Sequence, residues 1–128
     1  METVIFLDTH VVIWLYAGEV DRFPSRARKR LENQRLLISP TVLLEIQYWH
    51  ELSRVTQGPA LILKELEKSL GLGIHTENFE RIVITAVGES WTRDPFDRMI
   101  VGHAHITSAP LLTKNESIRQ YYRQAFWD

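Results

Sequence analysis

The chain has 128 residues, 45% of them hydrophobic and 24% charged, with a formal net charge of −1. That length supports one domain with a sizeable core. The near-neutral balance argues against a protein that holds nucleic acid by bulk charge alone. With no cysteine, disulfides and thiolate metal sites are excluded. No apolar run is long enough to cross a membrane. METVIFLDTH (1–10) lacks a basic leader and a small-residue cleavage site, so no signal peptide is expected, and a cytoplasmic location is.

TVIFLD (3–8) is a short, branched apolar run, as expected of a strand covered on both faces. HVVIWLYAG (10–18) predicts a helix stopped by Gly18. PSRARKRLENQ (24–34) predicts a second helix with Pro24 near its start. Arg22, Arg26, Arg28, Lys29 and Arg30 cluster here, a pattern typical of a solvated face. RLLIS (35–39) is a second strand. Ser39 or Thr41 then caps a helix around Pro40 that runs to about residue 54. Gly58-Pro59 breaks the chain, and LILKELEKSLG (61–71) makes a further helix. GIHT (73–76) is a weak strand and NFERIVITAVGES (78–90) is helical. Residues 95–106 form a helix opened by Pro95. PLLT (110–113) is a fourth strand, NESIRQYY a short helical turn, and RQAFWD a last edge strand. Strands alternating with helices, without repeat or linker, predict one α/β domain over 1–128 with a mostly parallel sheet. In such sheets ligands sit at the carboxyl ends of the strands, near the switch point.

Five positions bear on that edge. Asp8 ends the first strand and is either a site carboxylate or the cap of the next helix. Glu45 lies on or beside the stripe Val42, Ile46, Trp49 and Leu52, where a carboxylate needs a cation, either a lysine or arginine or a metal. Asp94 precedes Pro95 and fits an N-cap. Asp97, three residues on, can reach back as a shortened capping box, yet it also heads the buried stripe Ile100, Val101 and Ala104 at a helix N-terminus that favours negative charge. Asn115 follows the fourth strand and is an oxygen donor or a turn cap. Carboxylates from separate elements in a small volume repel one another, and hard cations such as Mg²⁺ or Mn²⁺ resolve this. The reaction class is metal-dependent phosphodiester hydrolysis. His103 and His105 face different sides of one helix, and His10, His50 and His75 have no zinc spacing.

In order, "FLDTHVVIW", "SPTVLLEI", "RDPFDRMIVGHA" and "LLTKNESI" resemble the motifs of PIN-domain ribonucleases. The nearest likeness is to VapC-type toxins of bacterial type II toxin–antitoxin pairs, and it runs from Asp8 to Asn115. The resemblance implies a three-layer α/β/α fold with about five strands and Mg²⁺- or Mn²⁺-dependent endoribonuclease activity. It puts Asp8, Glu45 and Asp97 on the acidic metal positions, with Asp94 in the same motif. It further implies a VapB-type antitoxin that blocks the site, and a homodimer. Two departures stand out. Asn115 replaces an aspartate frequent in relatives, which removes a charge and weakens a second metal. Leu44 stands where a tryptophan often precedes the glutamate, expected to be a packing change.

On this reading Asp97 or Glu45 orients the attacking water, and Arg93, Arg98 and Lys114 contact phosphates without reading sequence. Single-stranded loops, as in tRNA, are the expected target. Trp14, Tyr16, Tyr48 and Trp49 are mostly core, with any exposed ones available to anchor a partner. The rivals are a catalytically weak RNA- or protein-binding module, for which Asn115 would mark a degraded site, and a DNA nuclease on the same scaffold.

Overall fold

A computed structural model describes residues 3–128. The leaderless reading of 1–10 begins on Met1 and Glu2, which lie outside the described residues. The chain runs β1 (Val4–Leu7), α1 (Thr9–Tyr16), a 3-10 turn (Val20–Arg22), α2 (Ser25–Asn33), β2 (Arg35–Ile38), α3 (Pro40–Glu51) and α4 (Pro59–Leu70). It continues through β3 (Gly73–Ile74), α5 (Phe79–Val87), α6 (Pro95–Thr107), β4 (Leu111–Leu112), α7 (Glu116–Tyr121) and β5 (Ala125–Phe126). Every expected element forms, within a few residues at its ends. The 3-10 turn is an addition.

The five strands are all parallel, in the order β3-β2-β1-β4-β5. Parallel strands need crossovers, and right-handed ones place the helices that leave β1 and β2 over one face and those that leave β3 and β4 over the other. Ile5, Phe6 and Leu7 are fully buried between these layers, as are Leu36, Ile38, Leu111 and Leu112. That explains why the strands read as continuous apolar runs instead of alternating ones.

The chain builds outward from β1 to β3 and then returns to lay β4 on β1's other side, pairing Phe6 with Leu111 and Leu7 with Leu112. The switch point therefore lies between β1 and β4, and Asp8 and Thr113 follow directly on these two strands. α6 is held close to α5 at Gly102, where a Cβ would stand 3.2 Å from the Ala86 nitrogen. This contact sets how α6 approaches the sheet, and so where its first turn points.

Two local expectations change. Leu52, read into the buried α3 stripe, is 46% exposed, because α3 ends at Glu51 and Ser53 turns the chain with φ +60°. Leu44 is 63% exposed, so the residue before Glu45 alters surface and not core packing.

Candidate metal centre

Asp8 is 3% exposed. One carboxylate oxygen accepts the Thr9 N–H at 2.8 Å, capping α1. The other accepts the Thr113 hydroxyl at 2.6 Å, across the switch point. Asp8 is thus a cap and a site residue at once. His10 Nδ1 stands 3.5 Å from the same oxygen, while its Nε2 accepts the Lys114 N–H at 3.0 Å. Burial lowers the His10 pKa most; Asp8 raises it and Lys114 lowers it further.

Glu45 is 6% exposed on α3. Its carboxylate accepts the Thr9 hydroxyl at 2.5 Å. Burial pushes its pKa up to about 7, against the pull of that hydrogen bond, and the charges of Asp8, Asp94 and Asp97 push the same way. Asp97, half-buried in the first turn of α6, is also pushed up to about 7, by burial and then by Asp94 and Asp8. The four acids therefore feel one another across β1, α3 and α6. Among the described residues, no lysine or arginine lies within ion-pair distance of any of them. The lysine or arginine partner that could have neutralised Glu45 is not there.

Asp94 is the exposed N-cap of α6, accepting the N–H groups of Phe96 (2.8 Å) and Asp97 (3.3 Å). The shortened capping box does not close. The Asp94 N–H goes to the Thr92 hydroxyl at 3.2 Å, and among the described residues the Asp97 carboxylate accepts no hydrogen bond.

Asn115 caps α7, its side-chain oxygen accepting the Ile118 N–H at 3.0 Å. Only that oxygen's second lone pair is left for a ligand. The group from this edge that touches the acids is Thr113. Of the basic residues, Arg98 is committed to the carbonyls of Thr92 (2.8 Å) and Val87 (3.2 Å), pinning the α5–α6 loop. Arg93 is exposed and donates to the Ser90 carbonyl at 3.0 Å. Lys114 is exposed beside His10.

Two contributors, Thr9 and Thr113, went unread in sequence, and a third, His10, was weighed only as a zinc ligand. Thr9 and His10 follow Asp8 directly in "LDTH", and Thr113 ends an apolar run as Asp8 nearly does. That shared position at a strand's carboxyl end was the available signal.

No three His, Asp or Glu side chains among the described residues stand close enough to clasp an ion as they are. The donor chemistry nevertheless fits a hard dication: an all-oxygen set, two carboxylates raised toward neutrality, and no protein cation to relieve them.

The PIN domain family model matches residues 5–124. The chain belongs to the PIN domain family. Comparison with the curated proteins finds no match. Among solved structures, it is similar to a chain of VapBC2 from Rickettsia felis bound to a DNA fragment from its promoter, with TM-score 0.68 and 19% identity over 98% of this chain and 100% of that one. VapBC-1 from nontypeable Haemophilus influenzae matches with TM-score 0.67 and 21% identity, over 98% and 97%. A toxin–antitoxin complex from Klebsiella pneumoniae matches with TM-score 0.64 and 16% identity, over 95% of each chain. At these identities the likeness speaks for the PIN fold, and the acids must carry the chemistry.

Proposed function

We propose that this PIN domain is a metal-dependent endoribonuclease and the toxin of a type II toxin–antitoxin pair. The observation that carries the reading is the group of acids at the switch point, mutually repelling and without a protein counter-charge. Such a group costs stability unless a cation joins it. The toxin assignment is supported by the VapBC neighbours, which also support a VapB-type antitoxin as partner. A homodimer and a cytoplasmic setting belong to the same reading.

Asp8, Glu45 and Asp97 would hold Mg²⁺ or Mn²⁺, with Asp94 adding negative charge at the helix start and Asn115 as a further oxygen donor. The bound ion supplies charge neutralisation for the scissile phosphate and an acidified water. Thr9 and Thr113 fix two of the three carboxylates. Glu45 or Asp97 orients the attacking water and takes its proton. In-line attack on phosphorus leaves a 5′-phosphate and a 3′-hydroxyl. Lys114 and Arg93 are the cations positioned for RNA phosphates, and accessible loops such as those of tRNA are the substrate class.

A binding module without catalysis is favoured by one observation, the capping role of Asn115. The test is cleavage of labelled RNA, and of DNA with the same sequence, by wild type and Asp8→Ala in Mn²⁺ and in EDTA. Cleavage of RNA that needs both Mn²⁺ and Asp8 is expected. Metal-independent cleavage, or none with any ion, would overturn the enzyme, and equal cleavage of DNA would overturn the choice of substrate.

A further inference from the structure

Beside the acids a cavity of about 290 Å³ is lined by His10, Trp14, Trp49 and Arg54 among others. It shares Arg54 and Val55 with a second cavity of about 350 Å³ that reaches Gln57. Together they make a groove between α1, the end of α3 and the 52–58 loop. Its inner end is His10, 3.5 Å from Asp8. Trp49 is four residues after Glu45, so it lies one turn along the same face of α3, about 6 Å away along the axis.

The two tryptophans in the groove differ. Trp14 is already engaged: its ring meets His10 at 4.8 Å, Trp127 at 5.8 Å and Phe23 at 6.2 Å, with the Arg22 guanidinium 4.8 Å from its centroid. Trp49 is half-buried, and among the described residues its ring meets no other ring and its indole N–H has no acceptor. Arg54 follows it closely, held by a 2.8 Å bond from its N–H to the Trp49 carbonyl. The Arg54 guanidinium is exposed, with no carboxylate in ion-pair range among the described residues. Of the other basic residues, Arg22 in the 3-10 turn lies over Trp14 and pairs with Glu19, and Arg30 on α2 lies over Phe126; Arg26, Arg28 and Lys29 on α2 are exposed but line neither of these cavities.

A half-buried indole that lines the same cavity as an unneutralised guanidinium is a pairing a single nucleic-acid strand can use. Bases stack on aromatic side chains whatever their sequence, while arginine takes the phosphate. We infer that Trp49 and Arg54 form a docking groove for the single-stranded RNA that flanks the scissile phosphate, with a base on the Trp49 indole and a neighbouring phosphate on Arg54. The inference rests on the nuclease reading for what is cut, but strand binding in the groove is separable from cutting.

The test uses the full chain carrying Asp97→Asn, so that RNA is not consumed, and a fluorescein-labelled single-stranded 12-mer (about one site size) over a salt titration. Trp49→Leu should weaken binding about tenfold without changing the salt slope. Arg54→Gln should weaken it for every sequence and reduce the slope of log K against log salt by about 1. Trp49→Phe should recover part of the loss, which separates stacking from misfolding. With Asp97 intact, Trp49→Leu should raise KM more than it lowers kcat. Unchanged binding in both groove variants would overturn the groove. So would a larger loss from Arg26→Gln or Lys29→Gln on α2. So would retained RNA affinity with loss of a co-expressed protein partner, since the surface would then serve that partner. Trp49-dependent binding without Mn²⁺-dependent cleavage leaves the groove standing and removes the nuclease. Cleavage untouched by the groove variants does the reverse.

Discussion

α6 borders two polar clusters that solve one electrostatic problem in different ways. At its first turn, Asp97 feels the charges of Asp8 and Glu45; six residues on, His103 meets His75, with Nε2 3.0 Å from His75 Nδ1. Burial disfavours charge in both places. It pushes Glu45 and Asp97 up to about 7 and His103 down to about 4. His103 settles the matter by staying neutral: it is fully buried, and the Phe6 ring lies 5.3 Å from it and 5.4 Å from His75. The acids sit at the sheet's carboxyl edge, where hydroxyls and a helix N-terminus support ionised oxygens and a cation from solvent can complete them. One cluster is closed and structural, and the other is open and waiting for charge.

The comparison breaks most severely at the wall of the closed cluster. Phe6 is 1% exposed on the central strand, and Phe6→Ala should cost about 3–5 kcal/mol of unfolding free energy, read from denaturant midpoints at constant m. The next effect belongs to the open cluster. Glu45→Gln should reduce Mn²⁺-dependent RNA cleavage about a hundredfold or more. The same substitution should stabilise the metal-free protein at pH 8 by about 1–2 kcal/mol, discounted for solvent screening. The sign follows from the direction of the shift. A carboxyl whose folded pKa lies above its unfolded value contributes most below the unfolded value, near 4.5, and loses that contribution as pH rises toward 7. Glutamine never ionises, so it escapes the loss. A variant that is both inactive and less stable at pH 8 would mean that Glu45 is satisfied in the fold and has no need of an ion.

Metal addition sharpens the contrast in the opposite direction. At pH 8, Mn²⁺ at a hundredfold excess over its Kd should add about 2.7 kcal/mol of stability. The gain should fade below about pH 6, where protons compete for Glu45 and Asp97. Thermal melts of wild type and Asp97→Asn, with and without the ion, check this, and an equal gain in both would place the ion elsewhere.

These clusters also mark how far sequence reading reaches. The strands were legible because burial on both faces leaves uninterrupted runs such as VIFL and RLLI. Asp8, Glu45 and Asp97 were legible because each interrupts or ends an apolar pattern, so its carboxylate needs an explanation. Thr9 and Thr113 were not, since a threonine beside an acid satisfies any number of local turns, and only the β1–β4 pairing brings a hydroxyl 105 residues away onto Asp8. The His75–His103 contact spans 28 residues between a short strand's end and a helix, a distance at which no periodicity operates. Arg98 misled for the converse reason. A flanking arginine suggests phosphate, but an α5–α6 loop with unpaired carbonyls claims it first.

The smallest effect tests the closed cluster on its own terms. His103 Nδ1 is buried and has no hydrogen-bond partner among the described residues. The tautomer with its proton on Nε2, donated to His75, leaves only a lone pair unsatisfied, which costs less than burying an unpaired N–H. In either tautomer the ring must remain neutral. Its lowered pKa makes the histidine contribution full above about 6.5 and lost as pH falls toward 4. Over the same interval the protonating acids gain stability, so the two clusters oppose each other and the wild-type profile between pH 7 and 4 is flattened. His103→Leu keeps the volume apolar and removes one side of the opposition. Near pH 7 its stability should change by about 1 kcal/mol or less, and toward pH 4 it should rise relative to wild type. Denaturant unfolding at half-unit pH steps measures both curves. If they run parallel, the buried histidine titrates as it would in water, and the closed cluster is not closed.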